Sequence, residues 1–424
     1  MKTLLTVLLS GVCSAGFTQG MLDTFGGWRD SLETRGISPN IVYSAMPVAN
    51  VSGGIKTGIR YIDNVDLTLN LDFQKLANVK GLSLFIYGLG NNGGFATQLV
   101  GDIQTISNIE AYPTWKLYEA WAQQNLLNNN VSILAGLYDL NSEFDVVKPG
   151  LLFLHSSYGL GAELAPTGQN GPSVFPVTSL ALRVAATIKQ KVRVMAAIMD
   201  AVPGDPSDPS GTHIELSREE GALFIFQANI NLGKDIYFSK DGNVRKAGTV
   251  RRRAIGRGYE SPNFNQLIIG AWRYTADFET LDEFSQKQRG NQGAFIAYQR
   301  YFYLNAEQTK HITAFARLGI AEDSFNQFGA AISGGIVTAI PILKHNDEMG
   351  IAFSAALNGD AYLAQSTREG FNYDQAETNI EFTFNHRLLP YMAIQPSVQY
   401  VINPGTDPNL ANALVLMCLL QIEL

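Results

Sequence analysis

Seven charged side chains stand between apolar or aromatic neighbours, and any chemistry of this chain has to be sought there first. Arg183 lies between Leu182 and Val184, and Arg193 between Val192 and Val194. Arg273 sits between Trp272 and Tyr274, with Asp277 four residues on, and Arg317 between Ala316 and Leu318. Glu119 is flanked by Tyr118 and Ala120, and Glu381 by Ile380 and Phe382. A guanidinium is a planar fork of donors and a carboxylate a pair of acceptors, so these groups suit paired hydrogen bonding. Enzymatic constellations are poor by comparison. The five histidines (His155, His213, His311, His345 and His386) show no metal-ligand spacing such as HxxxH. His311 has no Gly-x-Ser-x-Gly context nearby. Gly88-Leu89-Gly90-Asn91-Asn92-Gly93 matches GxGxxG in letters but opens an Asn/Gly loop, not a helix, so no dinucleotide site is expected. No catalytic residue, cofactor or metal is expected.

The elements that position these charges alternate with a period of two. Val65, Leu67, Leu69, Leu71 and Phe73 share one strand face, and Asp66, Thr68, Asn70 and Asp72 the other. Ile380, Phe382 and Phe384 stand opposite Asn379, Glu381 and Thr383. Ile394, Val398, Tyr400 and Ile402 stand opposite Gln395, Ser397 and Gln399, and the chain ends on Leu420, Ile422 and Leu424 opposite Gln421 and Glu423. A soluble sandwich alternates too, so the spacing has to discriminate. We count about sixteen candidate strands, near 53–61, 65–73, 81–90, 115–125, 131–139, 178–189, 191–199, 221–231, 264–278, 291–303, 309–320, 328–340, 349–357, 376–386, 391–402 and 413–424. Long connections at 91–114, 140–177, 200–220, 279–290, 358–375 and 403–412 mostly alternate with short ones at 125–130, 190, 304–308 and 387–390. An even strand number with long loops at one end and short turns at the other is the pattern of an outer-membrane barrel. Asp63-Asn64, a tight turn where a long loop is due, and 232–263, long where a turn is due, fit this pattern badly.

Composition agrees. Of 424 residues, 46% are hydrophobic and only 16% charged, against about 25% charged in ordinary soluble domains. No apolar run after the first seventeen residues approaches the ~18 residues of a spanning helix. Met1-Lys2 and the apolar stretch Thr3–Phe17 read as a secretory signal. Its removal takes Cys13 away and leaves Cys418 alone, so no intramolecular disulfide is expected. A net charge of −7 predicts no nucleic-acid partner. The expected organisation is a signal at 1–20, a periplasmic lead-in with a short helix at 21–52, and an all-β transmembrane antiparallel barrel at 53–424. The helix is expected over 24–37, with Thr24 as N-cap and Trp28 and Leu32 on one face.

Several strings, taken in order, resemble the carbohydrate-selective outer-membrane porins of the OprB type. They are Gly26-Gly27-Trp28-Arg29-Asp30-Ser31-Leu32 with Arg35-Gly36-Ile37; Leu69–Leu76; Leu117-Tyr118-Glu119-Ala120-Trp121; and Ala135-Gly136-Leu137-Tyr138-Asp139 with Phe144. The most specific are Glu377–Phe382 and Ile394–Gly405. The terminal residue departs from the usual pattern: it is Leu424, where outer-membrane barrels typically end on an aromatic. The resemblance implies a sixteen-stranded outer-membrane porin passing glucose and related sugars passively, as a monomer or a homotrimer.

A diffusion pore needs donors, acceptors and a constriction that bind the solute weakly enough to release it. Arginine facing lipid at mid-depth costs ~2–4 kcal/mol. Arg183, Arg193, Arg273, Asp277, Arg317, Glu119 and Glu381 are therefore placed in the lumen as candidates for the constriction and for sugar hydroxyls. The connection 140–177 carries Leu151-Leu152-Phe153-Leu154-His155 and Tyr158, which is too apolar to lie free in water. It is expected to fold into the barrel, the alternative being packing across the outer rim. The basic run Lys240, Arg245, Lys246, Arg251, Arg252, Arg253 and Arg257 reads as a solvated loop, or as a contact for anionic headgroups or anions. A general porin, an outer-membrane esterase or lipase, and an adhesin barrel remain the other function classes.

Overall fold

A computed structural model describes residues 27–233, 265–282, 284–303, 311–339 and 347–424. The signal segment, Thr24, the turn at 304–308 and the basic run at 240–257 lie outside the described residues. Sixteen antiparallel strands close into a barrel. In chain order they are β1 (Ile37–Ser52), β2 (Gly58–Asp72), β3 (Leu82–Asn91), β4 (Thr114–Leu126), β5 (Val131–Tyr138), β6 (Ser179–Ile188), β7 (Val192–Asp200) and β8 (Ala222–Asn231). The second half comprises β9 (Asn265–Tyr274), β10 (Gln292–Tyr303), β11 (His311–Ala321), β12 (Phe328–Ala339), β13 (Glu348–Asn358), β14 (Ala376–Leu389), β15 (Met392–Ile402) and β16 (Ala413–Glu423). Closure is made by β1 against β16, with Tyr43 opposite Ile422 and Ala45 opposite Leu420. Closure leaves the barrel itself no open strand edge to template aggregation.

The strand number matches the expectation, although the first two strands are placed differently. β2 runs unbroken through Asp63-Asn64, where a turn was expected. The inward Asn64 amide donates to Asn91 Oδ1 at 2.8 Å across the β2–β3 pair, which gives this polar residue a partner inside the wall. The barrel also begins at Ile37, not at residue 53. The segment expected as lead-in therefore contains a whole strand, with Pro39 opposite Leu69 and Pro47 opposite Tyr61. The helix spans Trp28–Thr34, with Gly27 at its N-cap and no side-chain cap. It lies at the short-turn rim, where the buried Arg29 donates to the Leu424 carbonyl and stands 3.9 Å from Glu423.

Two environments separate on the wall. Outward positions such as Leu182, Phe224, Phe226, Leu318, Ile336, Ile351 and Phe382 are exposed, with Tyr61, Trp115 and Tyr400 toward the long-loop end. This is the apolar band with interfacial aromatics that lipid requires. No helix among the described residues is long and apolar enough to cross a membrane, so the crossing is made by strands. Toward the short-turn end the inward Asn40, Thr68, Asn70 and Asn385 are partly exposed and make a polar vestibule. The other half is not a polar channel wall. Phe85, Tyr87, Leu134, Trp272, Tyr274, Phe295 and Phe315 point inward and pack on Leu140, Phe144, Val147, Leu152, Phe153 and Tyr158 of the 139–178 connection. A second cluster joins Met46, Val48, Ile62, Val415, Met417 and Leu419 to Ile106, Ile109 and Leu154. The barrel interior thus holds a hydrophobic core built from its own loops.

Candidate functional site: the loop-narrowed lumen

The expected infolding of the fifth connection is what the structure shows. Leu152, Phe153, Leu154 and His155 are all at most 3% exposed, and residues 148–158 reach strands across the barrel. Lys148 N donates to Gln299 Oε1 at 2.9 Å, and Gln395 Nε2 donates to the Leu152 carbonyl at 2.6 Å. Glu381 is the principal anchor. Its carboxylate accepts from Leu154 N at 2.9 Å, His155 N at 3.0 Å and Ser397 Oγ at 2.8 Å. Buried backbone donors of an irregular loop need such partners, since unpaired they cost ~1–3 kcal/mol each.

The arginines fasten the same loop. Arg317 Nε and Nη2 donate to Asp145 at 2.8 and 2.7 Å, while Nη1 donates to Glu163 Oε2 at 2.9 Å. Two glycines clear the space. A Cβ at Gly161 would collide with the Arg317 guanidinium, and one at Gly319 with the Glu163 carboxylate. On the other side, Arg183 Nε lies 2.8 Å from Glu143 Oε2 and Arg193 Nη2 lies 3.2 Å from Glu143 Oε1. Arg183 also donates to Gln123 Oε1 at 2.7 Å. Glu119 accepts from Asp139 N at 2.8 Å, at the point where the loop leaves β5. It points inward together with Tyr118 because the β3–β4 register shifts between Tyr87 and Gly88, so strict alternation fails there.

A second loop, 92–113, lies against the first. Asn108 N donates to the Leu154 carbonyl at 2.7 Å, and Ser156 N to the Thr105 carbonyl at 3.1 Å. Glu377 holds it to the wall by accepting from Ile103 N at 3.0 Å and Gln104 N at 3.1 Å. Burial, then the Glu377 and Glu110 charges, push the Asp102 carboxyl well above its usual range. Burial alone pushes the His155 imidazole down to about 3, so it sits neutral beside Tyr158.

Five of the seven expected interior charges, Glu119, Arg183, Arg193, Arg317 and Glu381, therefore face inward and are held by the loops. Arg273 and Asp277 do not join them. Trp272 and Tyr274 occupy the inward positions, so Arg273 faces outward, opposite Phe224 and Gln292. It is the last residue but one of β9, at the rim, where an outward charge costs only ~0–1 kcal/mol. Asp277 is exposed beyond the strand and pairs with Arg289 at 3.0 Å. The carboxylates Glu143, Asp145 and Glu163 were not among the expected site residues, because they lie in a loop without periodicity.

With this geometry in place, comparison with known proteins identifies the architecture. The model of the carbohydrate-selective porin, OprB family, matches residues 56–423. This chain belongs to that family. Among relatives of this porin, Porin B of Pseudomonas aeruginosa is 22% identical, covering 93% of this chain and 89% of that protein. A high-pH structure of Pseudomonas putida OprB superposes with a TM-score of 0.80 at 16% identity, covering 97% of this chain and 100% of the other. A low-pH structure of the same protein gives a TM-score of 0.60 at 13% identity. The porin is accordingly an outer-membrane protein, and its fold is theirs: a closed sixteen-stranded barrel.

Proposed function

We propose that this porin passes sugars such as glucose passively through a lumen narrowed by the loops at 92–113 and 139–178. The observation that supports this is how the interior charges are used. Arg183 is fully buried and Arg317 is 5% exposed, with four donor contacts already made to loop carboxylates. Such groups have little left to offer a solute. Arg183, Arg193, Arg317, Glu119 and Glu381 act as positioning residues that fix the constriction, and the half-exposed Asn and Thr side chains of the vestibule offer neutral donors and acceptors to hydroxyls. The first twenty residues direct export. Proteoliposomes test the reading: swelling in glucose should be faster than in a neutral non-sugar of equal size. Equal swelling rates would overturn the selectivity, and absence of swelling the pore.

A further inference from the structure

At the long-loop rim, where Asn170 Nδ2 of the infolded loop donates to the Gly204 carbonyl at 3.2 Å, the connection 201–221 carries a cluster the pore does not use. His213, Glu215 and Glu220 bring one donor atom each to within 4.8 Å of one another. His213 Nε2 lies 3.0 Å from Glu220 Oε1. That contact satisfies one oxygen of Glu220, while Oε2 is buried with no hydrogen-bond partner. Beside them is Asp200, the last residue of β7 and 4% exposed. Its Oδ1 accepts from Val202 N at 3.2 Å, and its buried Oδ2 has no hydrogen-bond partner. The charged groups that act on Asp200 are Glu220, His213 and Glu215. Three carboxylates around one imidazole leave excess negative charge at a partly desolvated place, which is costly unless a cation offsets it. A His213–Glu220 hydrogen bond alone leaves both buried oxygens unexplained.

We propose that His213, Glu215 and Glu220 form a divalent-cation site of the zinc class at the mouth of the barrel, with the buried Asp200 carboxylate supplying further negative charge. The donor set selects the metal: one imidazole nitrogen with carboxylate oxygens suits Zn²⁺, whereas Ca²⁺ and Mg²⁺ favour all-oxygen shells. Bonds of ~2.0–2.2 Å imply ligand–ligand edges of roughly 3.3–3.6 Å in a tetrahedral site. The 3.0 Å pair opens slightly to reach this, and Glu215, which is exposed, swings in to close the widest separation. Access comes from an adjoining pocket of about 330 Å³, whose charged lining is Glu219, Glu220, Asp277 and Glu279 against Lys287, a net negative wall that attracts cations. The sequence pattern His-x-Glu-x₄-Glu matches no common motif; the fold of the loop assembles it. A bound dication ties residues 213–220 to the end of β7 and offsets negative charge at the pore entrance.

The test is calorimetric titration of the purified, detergent-solubilised porin with ZnCl₂ and, separately, CaCl₂. One zinc per chain should bind, more tightly than calcium. Loss of an outer-shell partner alone costs ~10–100-fold in metal affinity, so His213→Ala should weaken zinc binding by at least about tenfold. Glu215→Gln, at an exposed position that the fold does not need, should weaken it in the same direction. Retention of metal-free single-channel conductance identifies folded variants, and Glu215→Gln serves if His213→Ala does not fold. Absence of zinc binding, or equal affinity in wild type and in the folded variants, overturns the proposal.

Discussion

Replacing Arg317 by methionine keeps an unbranched apolar stem and removes the guanidinium with its charge. In the wild-type protein the guanidinium holds Asp145 at 2.7 Å, and the guanidinium and both loop carboxylates are at most 4% exposed. Removing one partner of a buried pair costs ~3–5 kcal/mol, because the other charge is left uncompensated. Here two carboxylates are stranded, and both belong to the 139–178 loop. Strands β10 to β12 are held by continuous ladders, so the strain is relieved by the loop leaving the wall. At about 1.4 kcal/mol per factor of ten, the docked-to-undocked ratio falls by roughly 10²- to 10³-fold or more. Single-channel recording of Arg317→Met should therefore show a larger, noisier conductance and weaker block by glucose. The triple variant Arg317→Met, Asp145→Asn, Glu163→Gln removes the stranded charges and should move back toward wild type. A single variant with wild-type conductance and sugar block, or a triple variant no closer to wild type than the single, would refute the assignment of these ion pairs to loop anchoring.

Other perturbations separate the elements. Deleting 151–158 removes the segment bound by Glu381 and should raise single-channel conductance; an unchanged value would sink the claim that it narrows the pore. Arg273→Ala alters an outward rim position and should leave conductance and glucose block at wild-type levels, whereas a changed sugar block would place Arg273 in the permeation path. The His155 prediction follows from its depressed pKa, about 3 when buried against 6.5 when free. An undocked loop takes up a proton below about 6.5, and the docked loop does so only near 3. Docking is therefore fully favourable above about 6.5 and weakens as pH falls through that window. Recorded from about pH 7.5 to pH 4, the wild-type conductance should rise relative to that of His155→Asn, whose side-chain oxygen can still accept from Ser157 N in place of His155 Nδ1. Parallel profiles would contradict this.

The fold was legible where alternation was clean, and it failed for identifiable reasons. Ile380, Phe382 and Phe384 against Asn379, Glu381 and Thr383 fixed both faces of β14, because lipid admits only one of them outside. β1 escaped because 21–52 was expected as a lead-in; the strand carries Pro39 and Pro47, residues that strands seldom hold away from their ends and edges. Asp63-Asn64 reads as a turn by residue type, yet the inward Asn64 finds a side-chain partner in Asn91. The lumen assignments rested on the cost of an outward arginine, which is high at mid-depth and small at the rim; Arg317 and Arg183 obey the rule and Arg273 escapes it. The loop carboxylates were beyond reach because Asp145 and Glu163 meet Arg317 only through contacts 172 and 154 residues apart in sequence. The low charge and high apolar content likewise have two causes, of which only the lipid-facing band was visible. The second is the core that the infolded loops make inside the barrel.

The central claim is a pore that admits sugars through a lumen narrowed by its own loops. Planar-bilayer recording tests it most directly, with glucose, maltose and a neutral non-sugar of equal size added in turn. Open channels whose ion current falls with the two sugars and holds with the non-sugar are the predicted result. Equal block by all three solutes would contradict the selectivity, and no conductance at all would contradict the pore.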